Sequence, residues 1–183
     1  MLSKKISYRD GLPYSGIPIL VLIVLMSKNV SNLTLLGLVV VTVMGYIASV
    51  VDIKTLTIPN KIPKIMISLW VLLTILRLFM DFDYFVIAGI NSLLGLLIGG
   101  GTFFLIYKLS KGKMGGGDVK LMAVFGLYLG IIGSITTMMY ASILVLLVSG
   151  ILMLIKKVNR ATRLPFAPFL YVGSLIYIFA IIF

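Results

Sequence analysis

Ile143-Leu144-Val145-Leu146-Leu147-Val148 holds no polar residue and no alternation of apolar with polar positions, and Leu93-Leu94-Gly95-Leu96-Leu97 reads the same way. A strand of a membrane barrel would alternate, with one face toward lipid and the other toward the lumen. Solid apolar blocks suit an α-helix instead, because a helix satisfies its own backbone hydrogen bonds where there is no water. The rest of the chain agrees. Of its 183 residues 61% are hydrophobic and 11% charged, and the mean hydropathy is +1.20, far above the range of water-soluble domains. The predicted fold is all-α, a polytopic transmembrane helix bundle forming one domain over residues 1–183.

Apolar blocks bounded by charged or turn-forming residues predict spans near 14–27, 33–51, 64–80, 84–107, 119–132, 134–155 and 165–183. That makes seven, or six if 119–155 is a single bent helix. Gly130, Gly133 and Ser134 fit either a tight hairpin or a bend. A single helix there would run about 55 Å, too long for a hydrocarbon core of about 30 Å, so two helices are expected. Two small-xxx-small patterns, Gly95 to Gly99 and Gly126 to Gly130, mark places where helices approach closely in lipid.

The formal charge of +11 would suit a nucleic-acid partner in a soluble protein. In a chain this apolar it orients the protein in the lipid bilayer, and no nucleic acid is expected. Lys4, Lys5, Arg9, Lys54, Lys61, Lys64, Lys108, Lys111, Lys113, Lys120, Lys156, Lys157, Arg160 and Arg163 all fall on one side of a seven-span topology. Cytoplasmic loops carry the excess of such residues, so that side is the cytoplasm, the amino terminus lies there and the carboxyl terminus outside. Lys28, Asp81 and Asp83 fall on the other side, with Arg77 near it. The basic start followed by the apolar run 17–26 has the outline of a secretory signal, but Ser27-Lys28-Asn29 is not a small-x-small cleavage site, and an uncleaved first span is expected.

The chain contains no cysteine and no histidine. This excludes disulfides, thiol nucleophiles, Ser-His and Cys-His catalysis and the common zinc motifs. No metal and no cofactor are expected. The acids are five aspartates, Asp10, Asp52, Asp81, Asp83 and Asp118. Asp81 and Asp83 fall in a short outer loop, where solvated carboxylates cost little, and Asp10 lies in a basic tail. Asp52 and Asp118 abut long apolar runs, where a carboxylate calls for an explanation. Alternating spans bring both to the cytoplasmic boundary. Two carboxylates in one place do not both ionise easily, so the pair can hold one proton, activate a water and protonate a scissile carbonyl. Their titrations are coupled, so the acid and base roles belong to the pair.

Gly115-Gly116-Gly117 precedes Asp118, opening backbone conformations closed to other residues and close approach of another chain, such as a substrate strand. The plainer reading makes this a flexible loop with Asp118 as a helix N-cap. Seven residues after Asp52 comes Pro59-Asn60, a turn that aims the carboxylate more readily than it touches substrate. Lys54 and Lys120 each sit two residues after an acid; they are either tuning groups or orientation lysines. Pro165 and Pro168 begin the last span, restricting the helix start or lining a groove.

An aspartate followed by Ile58-Pro59-Asn60, then a distant Gly-x-Gly-Asp at 115–118, then Pro165-Phe166-Ala167-Pro168, resembles the type IV prepilin peptidases and the related preflagellin peptidases, within the GxGD membrane aspartyl proteases. The resemblance extends from about the second span to the carboxyl end. It implies that Asp52 and Asp118 are the catalytic pair of an endopeptidase in the cell membrane. The substrate would be a prepilin-like membrane protein, cut at the cytoplasmic face after the glycine that follows a short basic leader. Longer members carry a cytoplasmic insert with paired Cys-x-x-C motifs and methylate the new amino terminus. Lacking cysteine, this chain is expected to cleave without methylating.

Three other readings remain. A presenilin-like protease cutting within the bilayer would show Tyr-Asp and Pro-Ala-Leu motifs, and neither is present. A small transporter or assembly component would use the acids to bind protons or cations. Gly11, after basic residues and before an apolar run, would make the chain itself a pilin-like precursor.

Overall fold

The computed structural model describes residues 32–110, 114–156 and 164–182. The expected span at 14–27 lies outside them, as do Asp10 and the basic residues at 111, 113 and 157–163. Five helices follow in order, α1 (Asn32–Thr55), α2 (Lys61–Met80), α3 (Phe82–Leu109), α4 (Gly116–Leu154) and α5 (Ala167–Ile182), with no strand among the described residues. The first four are long and apolar enough to cross a membrane, and α5 is a shorter apolar helix. The chain is an all-α polytopic bundle.

The bundle turns its apolar side chains outward. Phe79 is 82% exposed and Leu146 72%, while Thr42, Ser134, Thr137 and Ser174 are fully buried. In water that distribution would be unstable; in lipid the tails solvate the outside, and small hydroxyl residues let helices approach within. A buried hydroxyl favours a carbonyl partner, and Thr42 finds that of Leu38 one turn back at 2.9 Å, whereas Thr137 Oγ1 has none among the described residues.

One residue joins α2 to α3. Asp81 is extended, donates its N–H to the Arg77 carbonyl to close α2, and accepts from the Tyr84 N–H at 2.9 Å to open α3. This is the use for which aspartate is favoured at a helix start. The sequence reading of Asp81 as merely solvated gives way to a structural role.

The chain reverses direction inside α4. Gly130 has φ 69° and ψ −164°, the one non-helical residue in that helix. The limb before it runs antiparallel to α3: Gly116 faces Tyr107, Gly99 faces Met122, and Gly95 lies against Gly126. The limb after it runs antiparallel to α5, with Gly133 against Tyr177 and Gly173 against Thr137 and Ala141. Since α5 is itself antiparallel to α1, the two limbs point in opposite directions. The tight-hairpin alternative for 119–155 is therefore the one adopted. The break frees the Ile131 N–H, and Asn91 Oδ1 accepts it at 3.1 Å; an unpaired amide at this depth would cost several kcal/mol by order of magnitude.

The two small-xxx-small patterns pack on each other. A β-carbon on Gly95 would collide with the backbone of Gly126 and Gly130, and one on Gly126 with that of Gly95. Two hydrogen bonds tie α2 to the first limb, Trp70 Nε1 to the Leu127 carbonyl at 3.0 Å and Tyr128 Oη to the Met66 carbonyl at 2.7 Å. The core between them holds Val41, Met66, Leu121, Met122, Phe125 and Leu170, all fully buried.

Candidate active site

The last turn of α1, the first turn of α4 and the first turn of α5 meet at one end of the bundle. α1 outlasts its apolar block and closes only at Thr55, so Asp52 lies inside the helix rather than in the turn after it. The chain then reverses through Leu56, whose φ is 52° and whose N–H returns to the Asp52 carbonyl at 2.8 Å. Asp118 is the third residue of α4. Gly115 is the N-cap, without a side-chain capping bond, so the alternative that made Asp118 itself the cap does not hold.

Both carboxylates are buried, Asp52 at 4% and Asp118 at 9% exposure. Asp52 Oδ2 accepts the Ala167 N–H at 3.0 Å, and the Phe166 amide also faces it. The Gly115 amide faces Asp118, whose Oδ1 is buried with no hydrogen-bond partner among the described residues. Two buried acids, one anchored and one with an unused oxygen, form a constellation that a purely structural role leaves unexplained.

Two of the three glycines, Gly115 and Gly117, act by closeness. Gly115 has φ −71° and ψ 131°, and the one glycine with positive φ among the described residues is Gly130; the expectation that this triplet needs glycine-only conformations is corrected. A β-carbon on Gly115 would stand 2.8 Å from Asp118 Oδ2, and one on Gly117 would stand 2.9 Å from the Ile58 β-carbon, whereas Gly116 has nothing nearer than Tyr107 at 4.0 Å. The turn that follows Asp52 thus rests directly on the turn that precedes Asp118.

Asn60 and Lys120 tie the same two turns. Lys120 Nζ donates to Asn60 Oδ1 at 2.8 Å, so the lysine meets the turn rather than a carboxylate. Asn60 is the N-cap of α2 but makes no capping bond with its side chain, which leaves it for Lys120. Pro59 accepts from the Ile62 N–H at 3.1 Å. Pro165 lies in the irregular stretch before α5, and Pro168 is the second residue of that helix, where a missing N–H costs nothing. Phe166, between them, is fixed by Phe103 with ring centres 5.7 Å apart. The side chains expected at the site therefore gather at one end. The residue that sequence reasoning missed there is Ala167.

A cavity of about 500 Å³ is at the other end, lined by Asn32, Arg77 and Asp81 among others. It lies with the opposite ends of α1 and α2 and does not touch the two acids.

Helical spans, small-residue packing and two buried carboxylates at one end define a multi-pass membrane protein with an acidic site. The chain belongs to the type IV leader peptidase family, whose model matches residues 38–155. It is similar to the prepilin leader peptidase/N-methyltransferase of Bacillus subtilis (strain 168), 31% identical over 130 residues that cover 71% of this chain and 50% of the relative. It is also similar to the protein of that name from Pectobacterium carotovorum subsp. carotovorum, 27% identical over 130 residues that cover 70% and 45%. The chain thus spans about half the length of these curated relatives. No solved structure matches it.

Proposed function

We propose that the protein is a membrane aspartyl endopeptidase that removes the short basic leader of type IV prepilin-like precursors at the cytoplasmic membrane face. The observation that carries this reading is the burial of Asp52 and Asp118, from distant parts of the chain, at one end of a bundle whose family cleaves type IV leaders. The pair shares one proton. One carboxylate takes a proton from water as its oxygen attacks the scissile carbonyl carbon, and the other gives its proton to the carbonyl oxygen. The tetrahedral intermediate then collapses: one of its hydroxyls returns a proton to the second carboxylate as the carbonyl reforms, the C–N bond breaks, and the departing amine takes the proton held by the first.

Charge supports the cytoplasmic side. Lys54, Lys61, Lys64, Lys108, Lys120 and Lys156 all lie at helix ends on the side of the two acids, as the positive-inside rule requires of a cytoplasmic face. The absence of cysteine leaves the Cys-x-x-C motifs of the longer members without a counterpart, so the proposed activity is cleavage without methylation. A transporter would place its acids beside the helix break; here the break is at Gly130, at the far end of the limb that Asp118 begins.

The test is coexpression with a precursor bearing a basic leader, a glycine and one long apolar helix. Asp52→Asn and Asp118→Asn each abolish conversion to the shorter product on a gel. Normal processing by either variant defeats the proposal.

A further inference from the structure

Asp52 is held from another helix, by a main-chain group of α5, whereas Asp118 is faced by the Gly115 amide of its own helix start. The first N–H groups of a helix have no partner within it, and they favour negative charge. Ala167 is the first residue of α5, and its N–H points to Asp52 Oδ2 at 3.0 Å. Its carbonyl lies 3.3 Å from the Ser49 hydroxyl, which also donates to Gly45 at 2.8 Å. One turn of α1, from Ser49 to Asp52, therefore grips both ends of residue 167.

α5 has little freedom to move away. Its buried Ala167 leaves no gap. Gly45 admits Tyr171 so closely that a β-carbon would stand 2.9 Å from the ring, and Gly173 admits the Thr137 carbonyl at 2.6 Å from such a carbon. The helix is wedged between α1 and the second limb of α4, with its amino end against the acid.

We infer that the Ala167 N–H is a positioning group for the peptidase, fixing the Asp52 carboxylate in one orientation so that its other oxygen is presented to the proton it shares with Asp118 and to the scissile bond. The inference rests on the proposed two-aspartate reading. It assigns the Pro165-Phe166-Ala167-Pro168 element the task of delivering a backbone donor. Pro168 suits this, since proline in the first turn leaves upstream amides uncommitted to the helix.

The experiment is an exchange of one atom in the full-length protein. Incorporating lactate at position 167 by nonsense suppression replaces that N–H by an ester oxygen and leaves the methyl group in place. As a control, phenyllactate at position 169 removes a helical N–H of the same kind, which bonds to the Phe166 carbonyl at 3.0 Å and not to either acid. Initial rates are measured in liposomes on a purified precursor with a basic leader. The 167 ester lowers kcat about ten-fold or more with KM within about two-fold, the size expected for losing a hydrogen bond to a charged group; the 169 ester keeps the kcat of the native protein. Equal loss in both esters, or full kcat in the 167 ester, overturns the inference. Asp52→Asn is assayed beside them: if it retains activity, the two-aspartate reading itself fails, whereas an inactive Asp52→Asn beside a fully active 167 ester sinks only the role given to Ala167.

Discussion

Ile58 rests on the bare α-carbon of Gly117, so closely that a β-carbon there would come within 2.9 Å of its own. The contact joins the turn after one acid to the turn before the other, and it fixes how far apart their helices stand. Gly117→Ala must push the two turns apart. We expect it to lose about 1–3 kcal/mol of stability, the usual cost of overpacking, and most of its leader cleavage. Gly116→Ala, with open space around it, keeps its unfolding midpoint in detergent. An equal drop in both midpoints would refute the distinction.

Lys120 and Asn60 supply a second tie between the same turns. The bond is exposed, so its contribution is modest, at most about 1 kcal/mol. A double-mutant cycle with Lys120→Met and Asn60→Ala, read by chemical unfolding, should show coupling of that order and positive sign. Strict additivity would mean that the lysine serves orientation alone.

Gly130 carries a backbone conformation that side chains rarely adopt, and Asn91 fills the space a β-carbon would need. Gly130→Ala therefore combines strain of about 1–3 kcal/mol with displacement of the residue that holds the Ile131 amide. Asn91→Leu removes the acceptor alone. Both variants are expected to melt earlier than the native protein, Gly130→Ala the more so, in a thermal scan of purified protein. Unchanged melting of Asn91→Leu would show that the amide finds another partner.

Asp52 and Asp118 act as a unit in the proposed chemistry, and residues that act together are not additive. The double variant Asp52→Asn/Asp118→Asn should be no slower than either single one. Asp83→Asn, at the far end of the bundle, leaves turnover intact. Quantitative rates on one precursor decide the matter, and a double variant slower by the product of the single effects would indicate two independent acids.

Much of this architecture was legible because lipid imposes a simple rule on composition. The blocks at 33–51, 64–80 and 84–107 became α1, α2 and α3 with a few residues added at the ends, since helices continue into polar flanks until a turn stops them. Those added residues matter, for they carry Asp52 into α1. Asp52 and Asp118 stood out as acids beside apolar runs, and their burial at one end follows from the alternation of spans. The partner of Asp52 was not legible. It is a main-chain amide, which every residue but proline owns, so side-chain motifs do not reveal it; Pro168 was the sole sign, marking where a helix begins. The role of Gly117 was half legible, because a glycine announces closeness without naming the neighbour. Asp81 was missed although it stands directly before the apolar run of α3, a pattern that signals an N-cap.

The hydrogen bond from residue 167 to residue 52 crosses 115 positions of sequence. A ribosome feeding this chain into the membrane delivers Asp52 first and Asp118 next, and the amide that meets Asp52 emerges only after both. Until α5 is threaded, that acid lacks the Ala167 donor, and nascent chains stalled earlier lack this grip. The order of synthesis thus makes α5 a keystone, set after the four helices that precede it.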